Sequence, residues 1–144
     1  MGGLAVHPAR GGGEATEAAV TAGGSARVAS HPRRGEIWLT YIPGQPDDVH
    51  QPRPALVVSD DIRNRLTDDL IVVPLFSRGR LGPTRVALPS GSGGIDHDSL
   101  AFCDEVTTID RDFLHAGPLG RRIEPTIMNA VVAGIRRAIG ETVQ

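Results

Sequence analysis

The sequence contains no lysine, and all 15 of its cationic side chains are arginines. Aspartate and glutamate together number 17, so the formal net charge at pH 7 is −2. This balance excludes a uniformly basic surface, and any site that binds a polyanion must therefore be local. Arginine still suits such a site, because one guanidinium group can contact a phosphate through two parallel hydrogen bonds.

Sulfur and long apolar runs are also scarce. Cys103 is the single cysteine, which excludes an intramolecular disulfide framework and a zinc site built from several cysteines. No apolar run approaches the length of about 18 residues that a membrane span requires, and no signal-peptide core follows Met1. We therefore expect a cytoplasmic protein without a membrane partner.

The common motifs of nucleotide and metal chemistry are missing. The chain has no Walker loop, no dinucleotide-binding glycine pattern and no HExxH sequence. Asp96, His97 and Asp98 form a short cluster that could bind a metal weakly. Three consecutive residues seldom supply the convergent ligands that a metal needs, so the cluster is more typical of a solvated turn. We expect neither a metal nor another cofactor.

Glycine and proline are abundant, with 18 and 11 residues. Residues 1–32 are rich in glycine and alanine, lack aromatic side chains and show neither strand nor helix periodicity. Such a segment cannot bury enough apolar surface to offset the entropy of ordering it, which predicts a disordered N-terminal extension. Residues 33–144 then form one folded domain of common size.

Short strand-like segments bounded by glycine, proline and aspartate dominate this domain. They lie at 36–42, 54–59, 70–76, 84–88, 99–103 and 105–109, and the last two are either two strands or one bent strand. Pro74 indicates that its strand is at a sheet edge or contains a bulge. A helical turn at 60–65, capped by Ser59, follows the second segment. Six short strands favour closure into a small barrel, which removes exposed edges.

Only the C-terminal segment has a helical pattern of any length. Pro125 suits the first helical position, and Gly140 is a natural stop. Apolar residues recur every four positions, at Ile127, Val131, Ile135 and Ile139. The sequence therefore predicts a mainly β fold with a terminal helix (α+β) that covers part of the sheet.

Arg53 stands between two prolines at the start of a buried strand. Pro54 disfavours a helical conformation at Arg53, and the two prolines stiffen the backbone on either side. A guanidinium held in this way at the mouth of a loop is a good anion receptor. The alternative is a structural ion pair with one of the acidic side chains of the domain.

Five short motifs stand in an order and at spacings that resemble those of the MazF/PemK (Kid-type) toxins of bacterial toxin–antitoxin systems. They are Arg34–Leu39, Arg53–Ser59, Val72–Leu75, Pro83–Val86 and Asp98–Ala101. The resemblance covers roughly residues 33 to 140. It implies an SH3-like small β-barrel of the MazF/PemK/CcdB kind that forms a homodimer. It also implies a metal-independent endoribonuclease that cuts single-stranded mRNA at short sequences through attack by the 2′-hydroxyl, leaving a 2′,3′-cyclic phosphate.

The partner that the resemblance implies is a cognate antitoxin of the MazE/PemI kind. Its disordered acidic tail would occupy the RNA groove and fold on binding. Toxins of this kind also join their antitoxin on DNA.

The resemblance assigns the catalytic residues as well. Arg53 matches the family's catalytic arginine, whose permanent charge stabilises the phosphate in the transition state. A second catalytic residue, usually threonine, corresponds to Phe76, which cannot donate a hydrogen bond. Ser77 could supply the hydroxyl instead. Since adjacent strand residues face opposite sides, Ser77 serves only if the strand ends or bulges there.

Residues expected to bind RNA lie in three places. They are Asp48 and Gln51 in the loop that lines the family's groove, Arg78, Arg80, Thr84 and Arg85 on and beside one arginine-rich loop, and Asp104 and Glu105, which match the family's base-reading pair. The arginines could instead balance nearby acids, and the acidic pair could be a solvated strand end. His50 is a further candidate for moving a proton, since histidine titrates near neutrality.

Two other functions remain open at this point. One is a gyrase-binding toxin of the CcdB kind, which shares the barrel without cutting RNA. The other is a catalytically weakened paralogue that only binds antitoxin, which Phe76 in place of threonine suggests.

Overall fold

The computed structural model describes residues 31–42 and 51–143. These residues form a domain built on an antiparallel sheet of seven strands. The strands are β1 (Ile37–Thr40), β2 (Arg53–Val57), β3 (Asp69–Phe76), β4 (Arg85–Leu88), β5 (Ser99–Phe102), β6 (Thr107–Asp110) and β7 (Leu114–Ala116). The helices are α1 (Asp61–Leu66) and α2 (Pro125–Ala138). The predicted disordered extension lies, apart from His31 and Pro32, outside the described residues.

The strands follow the spatial order β4-β5-β3-β2-β1-β7, and β6 pairs with β3 beside this path. The predicted mainly β fold with a terminal helix is therefore confirmed. A 3-10 turn at Cys103–Glu105 separates β5 from β6, so the last two predicted segments are two strands. Strand β7 was missed, because its three residues, two of them exposed, carry no apolar pattern.

Apolar side chains cover both faces of the two central strands. Leu56, Val73 and Leu75 face a core that includes Met128 and Val131 of α2. The alternate residues face a second, smaller cluster, which contains Ala55, Val57, Leu70, Val72 and Ile109. Because β2 and β3 are buried on both sides, their sequences read as continuous apolar runs.

Pro74 lies in a central strand, so the prediction of a sheet edge was wrong. The Ile71 carbonyl accepts hydrogen bonds from Val58 and Ser59, which places the backbone groups of odd-numbered residues on the β2 side of β3. Those of Pro74 point to the other side. On that side, β3 pairs with β6 as far as Val72 and with β5 from Leu75 onward. Pro74 lies between these two pairings. The missing N–H of proline therefore falls at a gap in the ladder.

Helix α2 begins and ends where the sequence predicts. Pro125 occupies its first turn, and Gly140 follows it with a φ of +98°. The predicted apolar stripe is buried only in part. Ile139 is 76% exposed, because it lies at the end of the helix beyond the edge of the core.

Helix α1 is capped by Asp60 rather than by Ser59. The Asp60 carboxylate accepts hydrogen bonds from the backbone N–H groups of Ile62 and Arg63. The Ser59 hydroxyl instead donates to Oδ1 of buried Asn64 at 2.6 Å. Across the described part of the chain, no helix has the length and apolar character needed to cross a membrane.

Candidate active site

Arg53 is the first residue of β2 and lies half-buried at the end of the strand. It pairs with Thr40 of β1, whose hydroxyl donates to the Arg53 carbonyl at 3.4 Å. Backbone pairing on one side and proline on both sides hold its main chain extended. The guanidinium is thus attached to a rigid segment at the rim of the sheet.

Arg53 and Ser77 line the same open cleft, which has a volume of about 280 Å³. Ala55 pairs with Pro74, and continuing that antiparallel register places Arg53 across from Phe76. The remaining lining residues are Gln51, Pro52, Pro54, Leu75, Phe76, His97 and Ser99. The two residues expected to be catalytic therefore meet at one site, although they are far apart in the sequence.

Ser77 could serve as the hydroxyl donor only if the strand ends or bulges at its position. Strand β3 does end there, at Phe76. Ser77 lies just beyond the last strand residue, where the alternation of side chains no longer applies. Phe76 also lines the cleft and packs against Phe102, with ring centroids 4.5 Å apart. Where the resemblance predicts threonine, the chain thus has an aromatic side chain followed by a hydroxyl.

Arg85 and Asp104 are partners of each other. The Arg85 guanidinium donates to both carboxylate oxygens of Asp104, at 3.2 and 3.4 Å, and lies 3.8 Å from the centre of the Phe102 ring. The hydrogen bond from Arg85 lowers the pKa of Asp104 below its ordinary value. The expected phosphate contact and the expected base-reading carboxylate therefore form a single polar unit over an aromatic ring.

The other expected RNA-binding residues are spread more widely. Arg78 and Arg80 are exposed in the turn after β3, and Glu105 is exposed in the 3-10 turn. Thr84 is half-buried, and its carbonyl accepts from the Cys103 N–H at 2.9 Å. Asp48 and His50 lie outside the described residues.

Cys103 is a buried free thiol at the start of the 3-10 turn that follows β5. Burial is the main reason that its pKa rises to about 11. A neutral thiol under Gly134 of α2 acts as a small apolar side chain and not as a nucleophile.

His97 is a cleft residue that the sequence did not assign to the site. Its Nδ1 lies 2.7 Å from a carboxylate oxygen of Asp96. Asp98 is engaged elsewhere, since it accepts from the Ser90 N–H at 2.8 Å. Residues 31–42 and 51–143 contain no group of three or more potential ligands suited to a metal ion. The sequence around Asp96 and His97 does not indicate that they lie near Arg53, because that proximity arises from the pairing of distant strands.

A second depression, of about 380 Å³, adjoins the cleft. The two share Ser77 and Ser99. Leu81, Leu88 and Leu100 give the second depression apolar walls. A polar cleft thus continues into a less polar one, with the Ser77 hydroxyl between them.

Comparison with known proteins places the chain in a family. Residues 33–139 match the model of the PemK-like, MazF-like toxins of type II toxin–antitoxin systems. The chain belongs to this toxin family. The endoribonuclease PemK of Escherichia coli is 35% identical over 108 residues, which are 74% of this chain and 80% of PemK. The endoribonuclease MazF9 of Mycobacterium tuberculosis is 34% identical over 96 residues, covering 62% of this chain and 80% of that protein.

Solved structures give the same result for this MazF/PemK toxin. An endoribonuclease from a mycobacterial species is similar with a TM-score of 0.64 and 27% identity, covering 80% of this chain and 97% of its own. A mycobacterial endoribonuclease in complex with its cognate antitoxin is similar with the same score and identity, covering 78% and 99%. The predicted fold class and the predicted endoribonuclease family are both confirmed.

Proposed function

We propose that this toxin cleaves single-stranded RNA through attack by the ribose 2′-hydroxyl on the neighbouring phosphate, giving a 2′,3′-cyclic phosphate and a 5′-hydroxyl. The observation that carries the proposal is the cleft in which Arg53 and Ser77 meet. This reaction needs no added water and no metal ion. It needs a proton acceptor, a donor near the leaving oxygen, and positive charge where the phosphate gains charge.

Arg53 supplies the charge. A guanidinium keeps its proton at physiological pH and offers paired N–H donors that match two phosphate oxygens. Its backbone is fixed by strand pairing with Thr40 and by two prolines, so little ordering is required when RNA binds. Ser77 supplies a hydroxyl that donates to the phosphate from the position just after β3.

The adjoining depression holds a nucleobase next to the scissile phosphate. Its leucine walls suit the flat apolar face of a base, and it shares Ser77 and Ser99 with the cleft that holds the phosphate. A base inserted there must be unpaired and unstacked, which favours single-stranded RNA. Arg78 and Arg80, on the turn after β3, extend the cationic surface beside it.

A cognate antitoxin of the MazE/PemI kind is the proposed protein partner. The mycobacterial endoribonuclease of similar fold was solved with its cognate antitoxin. An acidic segment of such a partner would pair with Arg53 and so exclude RNA from the cleft. The toxin acts as a homodimer and joins its antitoxin on DNA.

The decisive experiment incubates purified protein with a long mixed-sequence RNA in excess EDTA. We expect discrete fragments that end in a cyclic phosphate, and we expect Arg53→Ala to reduce their rate of formation by at least about 100-fold. Arg65→Ala is the matched control, because it removes an exposed arginine of α1 that does not line the cleft.

Three results would contradict the proposal. Cutting that stops in EDTA would show a metal requirement. Absence of cutting together with tight gyrase binding would indicate a toxin of the CcdB kind. Absence of cutting with retained antitoxin binding would indicate a weakened paralogue, the alternative favoured by Phe76 at the usual threonine position.

A further inference from the structure

His97 reaches the cleft from a loop that is separate in sequence from both proposed catalytic residues. Strand β5 pairs with the end of β3 through Phe76 and Leu100, and the neighbouring residues Ser77 and Ser99 both line the cleft. His97 lies two residues before Ser99, and its carbonyl accepts from the Ser99 hydroxyl at 3.3 Å. The imidazole is therefore carried to the cleft by a turn that is tied to the strand.

Asp96 fixes the chemical state of this imidazole. A carboxylate only accepts hydrogen bonds, so Nδ1 at 2.7 Å carries the proton and Nε2 is the acceptor. Among the described residues, none makes a hydrogen bond to Nε2, and the side chain is 58% exposed. The hydrogen bond from His97 lowers the pKa of Asp96, which keeps its carboxylate ionised.

We propose that His97 is the general base of the cleavage reaction, with Asp96 as the positioning residue that orients its ring. This assignment rests on the proposed function, since it names the proton acceptor that the reaction at Arg53 and Ser77 requires. A carboxylate behind Nδ1 also stabilises the imidazolium that forms when Nε2 takes up a proton.

The proposed step balances without an outside reagent other than water. Nε2 of His97 takes the proton of the 2′-hydroxyl as the bond from O2′ to phosphorus forms. The bond from phosphorus to O5′ breaks, and its electron pair stays on O5′. That oxygen takes a proton from water, and the resulting hydroxide removes the proton from the His97 imidazolium. The products are a cyclic phosphate, a 5′-hydroxyl and the enzyme in its starting state.

A histidine base must be neutral, so the rate should fall at low pH where histidine side chains take up a proton. The charged groups near the imidazole are Asp96 and Asp98 on its own loop and Arg53 on the cleft. Carboxyl and guanidinium groups ordinarily keep their charge between pH 6 and 8, so we expect an acid limb in that interval to report on a histidine imidazole.

The test measures kcat/KM between pH 5.5 and 8.5 on a short RNA that the wild-type protein cuts. We expect His97→Ala and His97→Gln to lower kcat by about 100- to 10,000-fold and to abolish the acid limb. Asp96→Asn should also lower kcat, by at least about tenfold, because an amide no longer holds the imidazole in the tautomer with its proton on Nδ1. His115→Ala is the matched control, because that exposed histidine contacts Tyr41 and does not line the cleft.

An RNA substrate with sulfur in place of the leaving O5′ distinguishes a general base from a general acid as the role of His97. Sulfur leaves without protonation, so a base variant stays slow on this substrate while an acid variant recovers. Persistence of the His97→Ala defect supports the proposal, and recovery overturns the base assignment. Loss of the acid limb in His50→Ala but not in His97→Ala would overturn it as well.

Failure of this assignment is distinguishable from failure of the proposed function. If Arg53→Ala abolishes cutting and His97→Ala cuts like the wild type, His97 is not the base and the ribonuclease assignment stands. If the wild-type protein does not cut RNA at all, the proposed function fails, and the role of His97 fails with it.

Discussion

At the scale of single residues, Phe76 stands where the resemblance to the toxin family predicts threonine. Phe76 contributes a ring contact with Phe102, and the adjacent Ser77 contributes the hydroxyl. The hydroxyl is thus displaced by one residue, to a position beyond the strand end. The main chain of Ser77 is less constrained there than that of a residue whose backbone pairs with β5.

This displacement predicts opposite effects for two substitutions. Ser77→Ala should slow RNA cleavage by about 10- to 100-fold, because it removes one hydrogen bond to the phosphate in the transition state. Phe76→Thr should increase the cleavage rate, because it restores a hydroxyl on the rigid strand. Single-turnover rates with saturating protein measure both. An unchanged rate in Phe76→Thr would show that Ser77 is already well placed.

Phe76→Thr should also lower the free energy of unfolding, since an aromatic pair contributes about 0.5–1.5 kcal/mol beyond its buried area. Urea titration measures this loss separately from activity. A variant that is less stable but cleaves RNA faster would show that Phe76 increases the stability of the fold and lowers the cleavage rate.

At the scale of elements, the loop before β5 has to be shaped accurately to bring His97 to the cleft. Gly94 ends the 3-10 turn Ser92–Gly94 with a φ of +93°. A Cβ atom at this position would lie 2.3 Å from the backbone carbonyl oxygen of Leu119. The turn is therefore packed directly on the segment that leads into α2, and only glycine fits between them.

Gly94→Ala should accordingly destabilise the domain by at least about 2 kcal/mol, from a strained left-handed conformation plus a clash with backbone that cannot move aside. Gly91→Ala is the matched control, because its φ is +97° but a Cβ there would meet nothing within 4 Å. That variant should lose only about 1 kcal/mol. Thermal unfolding followed by circular dichroism compares the two, and equal losses would contradict the packing argument.

At the scale of the whole molecule, the described domain has a modest core divided between two faces of one sheet. Apolar side chains such as Ile62 and Leu66, four residues apart on α1, remain 59% and 76% exposed in the single chain. Small domains of this kind gain stability by burying further apolar surface between copies. The proposed homodimer would provide such an interface.

Sedimentation at micromolar concentration should therefore give a mass of about twice the 15.2 kDa of the chain. The melting temperature should rise with protein concentration, because association stabilises the folded state by mass action. A mass of one chain at 50 µM and a melting temperature independent of concentration would contradict the dimer.

The sequence by itself determined the classes of structure and the family. Apolar runs bounded by glycine and proline predicted six of the seven strands found in the described residues, and Pro125 and Gly140 predicted both ends of α2, because these signals act over a few neighbouring residues. The five motifs led to the toxin family, and the prolines on either side of Arg53 marked it as a candidate anion receptor.

Tertiary structure alone decided which distant residues meet. The gap that accommodates Pro74 exists only because β3 changes partners between β6 and β5. The pairing of Arg85 with Asp104 and the approach of His97 to Arg53 likewise depend on strand register. Register is set by the burial of whole strand faces against each other, a long-range property that no local segment of the sequence encodes.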